Sequence, residues 1–357
     1  MIVTRVSGFV PQFEAENVRL LQEMGFEVHY ASNFDTVVYG RDNDRVKALG
    51  LICHHIPFDR KLLCKTNYHA YKQLKELMAR EAFSLVHCHM PFTGVAARLA
   101  AKRTGTAPVL YTGHGFHFFT GAPWKNWVFY PVERWMARYT DRLITINEED
   151  FARAKKFPVR GNVCRIHGVG IDCERFLPSV QRDTGFTIAT VGELAPGKNH
   201  QAVIRALPSL PDVCYEIYGE GSCMESLAAL AKQCGVDDRV CFAGYCSDIV
   251  ERLRGVDAFV FPSLREGMPV AVMEAMAAGL PVVALDIRGC RELIVDGKGG
   301  FLLKTDAPEA LAKSIQTLQG DRGLAKEMGA YNRQRMKKYD KAVVREEMRE
   351  IYRGLLE

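Results

Sequence analysis

Apolar and polar positions alternate along the chain with one repeated rhythm. Short apolar runs such as "MIVTRV", "FEVHYA", "LICHHIP", "SLVHCHM", "PVLYTG", "RLITI" and "VCRIH" occupy the first half. Amphipathic stretches such as "FEAENVRLLQEMG" and "YHAYKQLKELMAR" lie between several of them. The second half repeats the pattern with "FTIATVG", "CYEIYG", "RVCFAG", "VDAFVFPS", "LPVVALD" and "GFLL". Near-continuous apolar strands separated by helices predict parallel sheets covered on both faces. Two successive series predict an α/β protein with two doubly wound, Rossmann-like domains.

Between the series, residues 168–186 carry turn formers, a proline and charges without periodicity, which marks a linker. The predicted domains are 1–172 and 173–338. A C-terminal helix over 339–357 is expected to pack back on the N-terminal domain. Its apolar stripe reads Val344, Met348, Ile351 and Leu355.

Composition narrows the class. A net charge of +5 over 357 residues is mild and does not suggest a nucleic-acid binder. Eleven cysteines, with no CxxC pair, read as reduced thiols. His87-Cys88-His89 has metal-ligand types, but strand alternation turns Cys88 away from both histidines, and a closed site needs about four converging ligands. No metal or cofactor is expected. The start "MIVTRV" lacks the order of a secretory leader. The longest apolar run, "MPVAVMEAMAAGLPVVAL", contains a carboxylate, a glycine and two prolines, which suits a buried helix-turn-strand. A cytoplasmic protein is expected, with a membrane's inner face as a further option.

Ligands of open parallel sheets bind beyond the carboxyl ends of the strands. There the second half carries "TVGELAPGKNH", "YGEGS", "FAGYCSD", "FPSLREGMPV" and "DIRGCRE". In "PSLREGMPVAVMEAMAAG", Pro269 suits the first helical position and Gly279 the position just past the helix. Glu266 then lies on a loop and Glu274 on the second helical turn. The amide groups from Gly267 to Ala271 form an anion site aided by the helix dipole. A carboxylate cannot share that anion, but it accepts hydrogen bonds from hydroxyls beside it. A nucleotide sugar offers a diphosphate flanked by hydroxyls on both sides. Read blandly, Glu266 is a solvated loop residue and Glu274 an ordinary helix residue. The apolar surroundings make an unpaired Glu274 costly and favour a ligand-binding role.

These residues resemble a known family. Glu266-x7-Glu274 within "PSLREGMPVAVMEAMAAGLPVVA", together with "HGVGIDCERF", "VGELAPGKNH", "YGEGS" and "FAGYCSDI", is similar to the signature of the retaining family 4 glycosyltransferases of GT-B fold. "LDIRGCREL" resembles a bacterial subgroup that assembles capsular, exopolysaccharide or lipid-linked glycans. The resemblance implies two Rossmann-like domains facing a central cleft. It also implies transfer of a sugar from a nucleotide-sugar donor, UDP-sugar favoured, to a glycan or polyprenyl-diphosphate-linked acceptor.

By the same resemblance Lys198 holds the diphosphate, Glu266 contacts the donor sugar and Glu274 the ribose. Gly267, Met268, Pro269 and Val270 offer backbone donors, with Gly192 and Gly219 on neighbouring loops. Glu292 stands near the ligand and Tyr245 lines the base. In the first domain His114 faces the donor sugar, Gly8 the phosphates and His89 the acceptor. Two departures stand out: Glu193 occupies a position where the family usually has arginine, and the first loop has Gly8 without a second glycine. Arg288 or Arg291 is the expected substitute cation.

The implied reaction retains anomeric configuration without a metal. The one Asp-x-Asp match, "DND" at 42–44, reads as a turn. All three tryptophans fall in "GFHFFTGAPWKNWVFYPVERWMARYTDR" among basic residues. That segment is either an interface for anionic lipid head groups or a packed helix kinked at Pro131. Two other functions fit the same frame: a nucleotide-sugar 2-epimerase, and a non-catalytic nucleotide-sugar-binding partner of another transferase. A dinucleotide dehydrogenase is disfavoured because no G-x-G-x-x-G follows the first strand of either half.

Overall fold

In a computed structural model, which describes residues 1–40, 42–61, 64–176, 185–246 and 248–356, the chain divides into two compact units. One comprises Met1–Val169 with Ala342–Glu357, the other Gly170–Lys341. Of the predicted linker, residues 177–184 lie outside the described residues.

The first unit holds β1 (Ile2–Val6), β2 (His29–Asn33), β3 (Ile52–His55), β4 (Val86–His89), β5 (Val109–Gly113), β6 (Arg142–Thr145) and β7 (Asn162–Arg165). They pair in the order β3-β2-β1-β4-β5-β6-β7, all parallel. The second unit holds β8 (Phe186–Val191), β9 (Val213–Tyr218), β10 (Val240–Gly244), β11 (Ala258–Phe261), β12 (Val282–Leu285) and β13 (Gly300–Leu303). Their order is β10-β9-β8-β11-β12-β13, also all parallel. Each sheet therefore reverses its winding once, between β1 and β4 and between β8 and β11. These are the switch points where a crevice opens at the strand ends.

The central strands of each sheet are buried on both faces. Along β11, Ala258 and Val260 join one core layer, while Phe259 and Phe261 join the other. Successive strand side chains point to opposite faces, so a strand that is apolar throughout can serve two layers at once. The same alternation along β4 puts Val86 and Cys88 in a core layer and turns His87 and His89 the other way.

The C-terminal helix runs Lys341–Leu356 and belongs to the first unit. Its buried line is Val344, Met348 and Tyr352 rather than the predicted stripe through Ile351 and Leu355. The 4-residue step wins because the Tyr352 hydroxyl reaches His87 Nδ1 at 2.9 Å, which satisfies both polar groups inside the core. Glu347 and Arg345 tie the same helix to His167 and Glu23.

The carboxyl-end sites of the two units

In the second unit, three strand exits form one row. The Gly192 amide donates to the Tyr218 carbonyl and the Gly219 amide to the Gly244 carbonyl. Gly219 has φ +156°, and a Cβ there would come within 1.9 Å of the Gly192 carbonyl oxygen. Glycine at 219 is thus required by close backbone approach. Tyr245 follows the row, exposed, with its amide donating to Glu220.

At the switch point the loops after β8 and β11 are laced together. The Leu264 amide donates to the Gly197 carbonyl at 3.0 Å. Lys198 ends a 3-10 turn and precedes Asn199, whose left-handed φ of +57° is tolerated by its short polar side chain. This turn aims Lys198 Nζ at Glu266 Oε1, 2.5 Å away, and Ser263 donates to the same oxygen at 3.0 Å. Arg288, on the helix after β12, donates to the Glu266 carbonyl at 3.4 Å. Arg291 is taken by Asp286. Of these two arginines it is therefore Arg288 that touches the Glu266 loop, while Glu193 is exposed.

The helix Val270–Ala277 starts one residue later than the sequence suggested. Pro269 is its N-cap, with extended ψ of 112°, rather than its first helical residue. Gly267 and Met268 precede it in the loop. Glu274 is half-buried on its second turn and, among the described residues, its carboxyl takes no hydrogen bond. Burial raises its pKa to about 7, opposed by the nearby Arg175 charge. Glu292 lies on the helix Arg288–Leu293, its carbonyl accepting from Arg335 and Tyr339.

The first unit builds a different site at its own switch point. After β1 comes Gly8, where a Cβ would meet the Val38 carbonyl oxygen at 1.8 Å, so the lone glycine of this loop answers a packing demand. The chain then makes a π-helical turn, Val10–Glu14, a form often found at functional positions. Glu14 ends that turn beneath His89 and His114. Glu14 Oε1 is 3.6 Å from His89 Nδ1 and 3.6 Å from His114 Nε2, and those two nitrogens are 3.0 Å apart. The Phe9 ring packs on both imidazoles.

His89 is fully buried, so it offers an acceptor no surface; its neighbour is His114, which is 21% exposed. Desolvation pushes His114 down to about 4, His87 to about 3 and His89 well below its ordinary value. The same burial raises Glu14 to about 7. The cluster is therefore built from neutral rings beside a weakly acidic carboxyl. Glu14, His87 and His89 bring potential metal-ligand atoms within 4.8 Å of one another. Yet both nitrogens of His87 are engaged, by Tyr352 and Thr112, and its ring lies over His89 with centroids 4.2 Å apart. Overlapping rings direct their in-plane lone pairs side by side instead of toward one ion.

Beside His114 a cavity of about 210 Å³ is walled by Phe9, Tyr39, Phe116 and Phe129 and reaches Glu133. Its polar end is a buried network: Arg98 pairs with Glu133 at 2.8 Å and stacks on Tyr111, whose hydroxyl donates to the other Glu133 oxygen. Sequence reasoning missed it because Arg98, Tyr111 and Glu133 sit on three elements; the only signal was a charged residue at a core position of each helix pattern. Asp42 and Asp44 form an exposed turn, with the Asp44 amide donating to Asp42.

The tryptophan segment divides its side chains. The helix Phe129–Met136 carries Pro131 in its first turn, where proline causes no kink. Tyr130 packs against Phe118, and Met136 is fully buried. Trp124 is 88% exposed, Val128 63% and Trp135 49%, beside exposed Lys125, Arg134 and Arg138. Among the described residues, no helix is long and apolar enough to cross a membrane.

Two parallel sheets with this winding, and polar loops at both switch points, define the GT-B architecture, and the chain is similar in fold to solved members of it. Anabaena HepE in complex with UDP and glucose aligns over 99% of both chains with a TM-score of 0.78 at 17% identity. Residues 15–175 match the family described as Glycosyltransferase Family 4, and residues 175–335 match Glycosyl transferases group 1. The protein belongs to this glycosyltransferase family and is a glycosyltransferase of polysaccharide biosynthesis. It is 38% identical to the EpsD protein of Bacillus subtilis (strain 168), named as a glycosyltransferase, over 97% of this chain and 93% of that one. It is 28% identical to the UDP-Gal:alpha-D-GlcNAc-diphosphoundecaprenol alpha-1,3-galactosyltransferase of Escherichia coli, over 80% and 78%.

Proposed function

We propose that the second unit binds a nucleotide sugar through Lys198, Glu266 and Glu274, and that the enzyme transfers its sugar with retention and without a metal. The observation that carries this reading is the pairing of a laced cation with an unpartnered, half-buried carboxyl at one switch point. Lys198 would exchange Glu266 for a phosphate oxygen. Freed of Lys198, Glu266 would accept hydrogen bonds from sugar hydroxyls, while Glu274 accepts those of the ribose. The departing diphosphate gains negative charge, which Lys198 and the first amides of Val270–Ala277 would stabilise. Arg288 stands in for the arginine that Glu193 replaces. An acceptor hydroxyl then attacks from the face the diphosphate leaves, gives its proton to a phosphate oxygen, and the anomeric configuration is kept.

A UDP-sugar donor and a polyprenyl-diphosphate-linked acceptor are the favoured substrates. Support comes from the named donor and lipid carrier of the Escherichia coli relative. Exposed Trp124, Val128 and Trp135 beside Lys125, Arg134 and Arg138 suit an anionic membrane surface where such an acceptor resides. His114 would donate to or accept from a substrate hydroxyl.

Thermal-shift titration with UDP-, GDP- and ADP-sugars tests the donor class, since a ligand of the native state raises stability with its affinity. Failure of all three to shift the melting temperature would refute the nucleotide-sugar site. Activity unchanged by chelator and a product anomer matching the donor are expected; dependence on added divalent cation would overturn the metal-free reading. Flotation with anionic vesicles, with and without Trp124→Ala and Trp135→Ala, tests the membrane face.

A further inference from the structure

Among the buried titratable groups, His89 has no part in the function proposed above, because no ligand can reach it. It is nonetheless held with care. It ends β4, and Met90 after it adopts a left-handed backbone with φ +65°, a conformation that costs free energy for a residue with a side chain. Thr93 Oγ1, from the next helix, donates to the His89 carbonyl at 2.5 Å. The ring is clamped between Phe9 and His87.

One proton lies between His89 Nδ1 and His114 Nε2, 3.0 Å apart. Glu14 Oε1 is equidistant from both nitrogens and does not decide which one carries it. The far side of His89 decides. Its Nε2 is buried with no partner. If the shared proton belonged to His114, neutral His89 would have to carry its own proton on Nε2, leaving a buried N–H without an acceptor. If it belongs to His89 Nδ1, the unpaired group at Nε2 is only a lone pair. Orphaned buried N–H groups are rarer than under-used acceptors, which favours the second arrangement. Both rings are neutral because burial opposes a charge on either.

We propose that His89 is a positioning residue: it donates Nδ1–H to His114 Nε2 and thereby fixes His114 as a neutral donor that presents its own Nδ1–H to a sugar oxygen. The inference rests on the reading that His114 binds a substrate sugar. It sharpens that reading, because a ring nitrogen already carrying a proton cannot serve as a general base. Among the described residues His114 Nδ1 takes no hydrogen bond, so the donor is free for a ligand.

Nitrogen-15 NMR of histidine-labelled full-length protein reads the tautomers directly, without ligand. Protonated Nδ1 and unprotonated Nε2 are expected at both His89 and His114; the reverse pattern overturns the proposal. In steady-state kinetics His89→Leu should raise KM for the nucleotide sugar by roughly tenfold, the worth of one neutral hydrogen bond, with affinity for free UDP unchanged. His89→Asn, whose amide can stand near the place of Nδ1, should restore KM close to wild type. Equal losses in both variants would mean His89 only fills space. If His89→Leu does not fold, the NMR result on the unaltered protein decides. An unaffected KM in His114→Ala would instead refute the sugar-binding role of His114, whatever the tautomers.

Discussion

The two switch points solve the problem of buried polarity in opposite ways. In the second unit Lys198 and Glu266 are partly open and paired with each other, so the site is held in readiness by a contact that a ligand can replace. In the first unit Glu14, His89 and His114 are closed in and mostly neutral, and their geometry is set by burial. An exposed ion pair contributes little to stability and can be exchanged at small cost. In a buried network an N–H without an acceptor is costlier than an unused lone pair, so burial fixes proton positions. The difference teaches where charge stabilisation and where orientation would come from.

The sharpest way to break this contrast is to cut one ion pair in each unit. Glu133→Ala leaves the Arg98 guanidinium, 1% exposed, without its partner, and should lower unfolding free energy by about 3–5 kcal/mol in denaturant titrations. Lys198→Ala should leave stability within about 1 kcal/mol, yet cut turnover by roughly 10²–10³, as for one preorganised electrostatic contact. A large stability loss in Lys198→Ala with intact turnover would reverse the assignment of roles.

Proton linkage sharpens the comparison further. Glu14 has a folded-state pKa of about 7 against an ordinary 4.5. The folded protein keeps a proton that the unfolded chain releases, so Glu14 costs stability progressively as pH rises from about 4.5 to 7 and fully above that. Glu14→Gln should therefore stabilise by about 3 kcal/mol at pH 8 and by almost nothing at pH 4 in pH-resolved thermal melts. A gain at low pH alone would contradict the sign. The smallest effect concerns Glu274, also near pKa 7. Hydroxyls donating to its carboxylate favour the charged form, so UDP binding at pH 7 should release about half a proton. Calorimetry in buffers of different ionisation heat measures it, and Glu274→Gln should abolish the release.

Much of the fold was legible because the pattern is strong. Every strand predicted from an apolar run is present, the partly exposed edge strands β3, β7 and β10 included; the central strands, buried on both faces, carry the most nearly unbroken apolar sequence. The loop residues Lys198, Glu266 and Gly219 could be picked out from their place at strand ends. Other features were beyond the pattern's reach. Pro269 suits either the N-cap or the first helical position, and local propensity alone does not choose between them. Tyr352 displaced Ile351 from the buried line because of a partner 265 residues away. Arg98, Tyr111 and Glu133 could not be joined by spacing because their sequence separations carry no period.

By itself, the sequence determined the class of fold, the order of the elements and the loops that carry chemistry. These follow from periodicity and from residue types whose backbone preferences are local. Tertiary structure alone decided that Arg288, not Arg291, stands by Glu266, and that His89 lies under His114 instead of facing an acceptor. It also set which carboxyls are pushed toward neutrality, because desolvation depends on everything packed around a group, and that arrangement exists only once distant segments have come together.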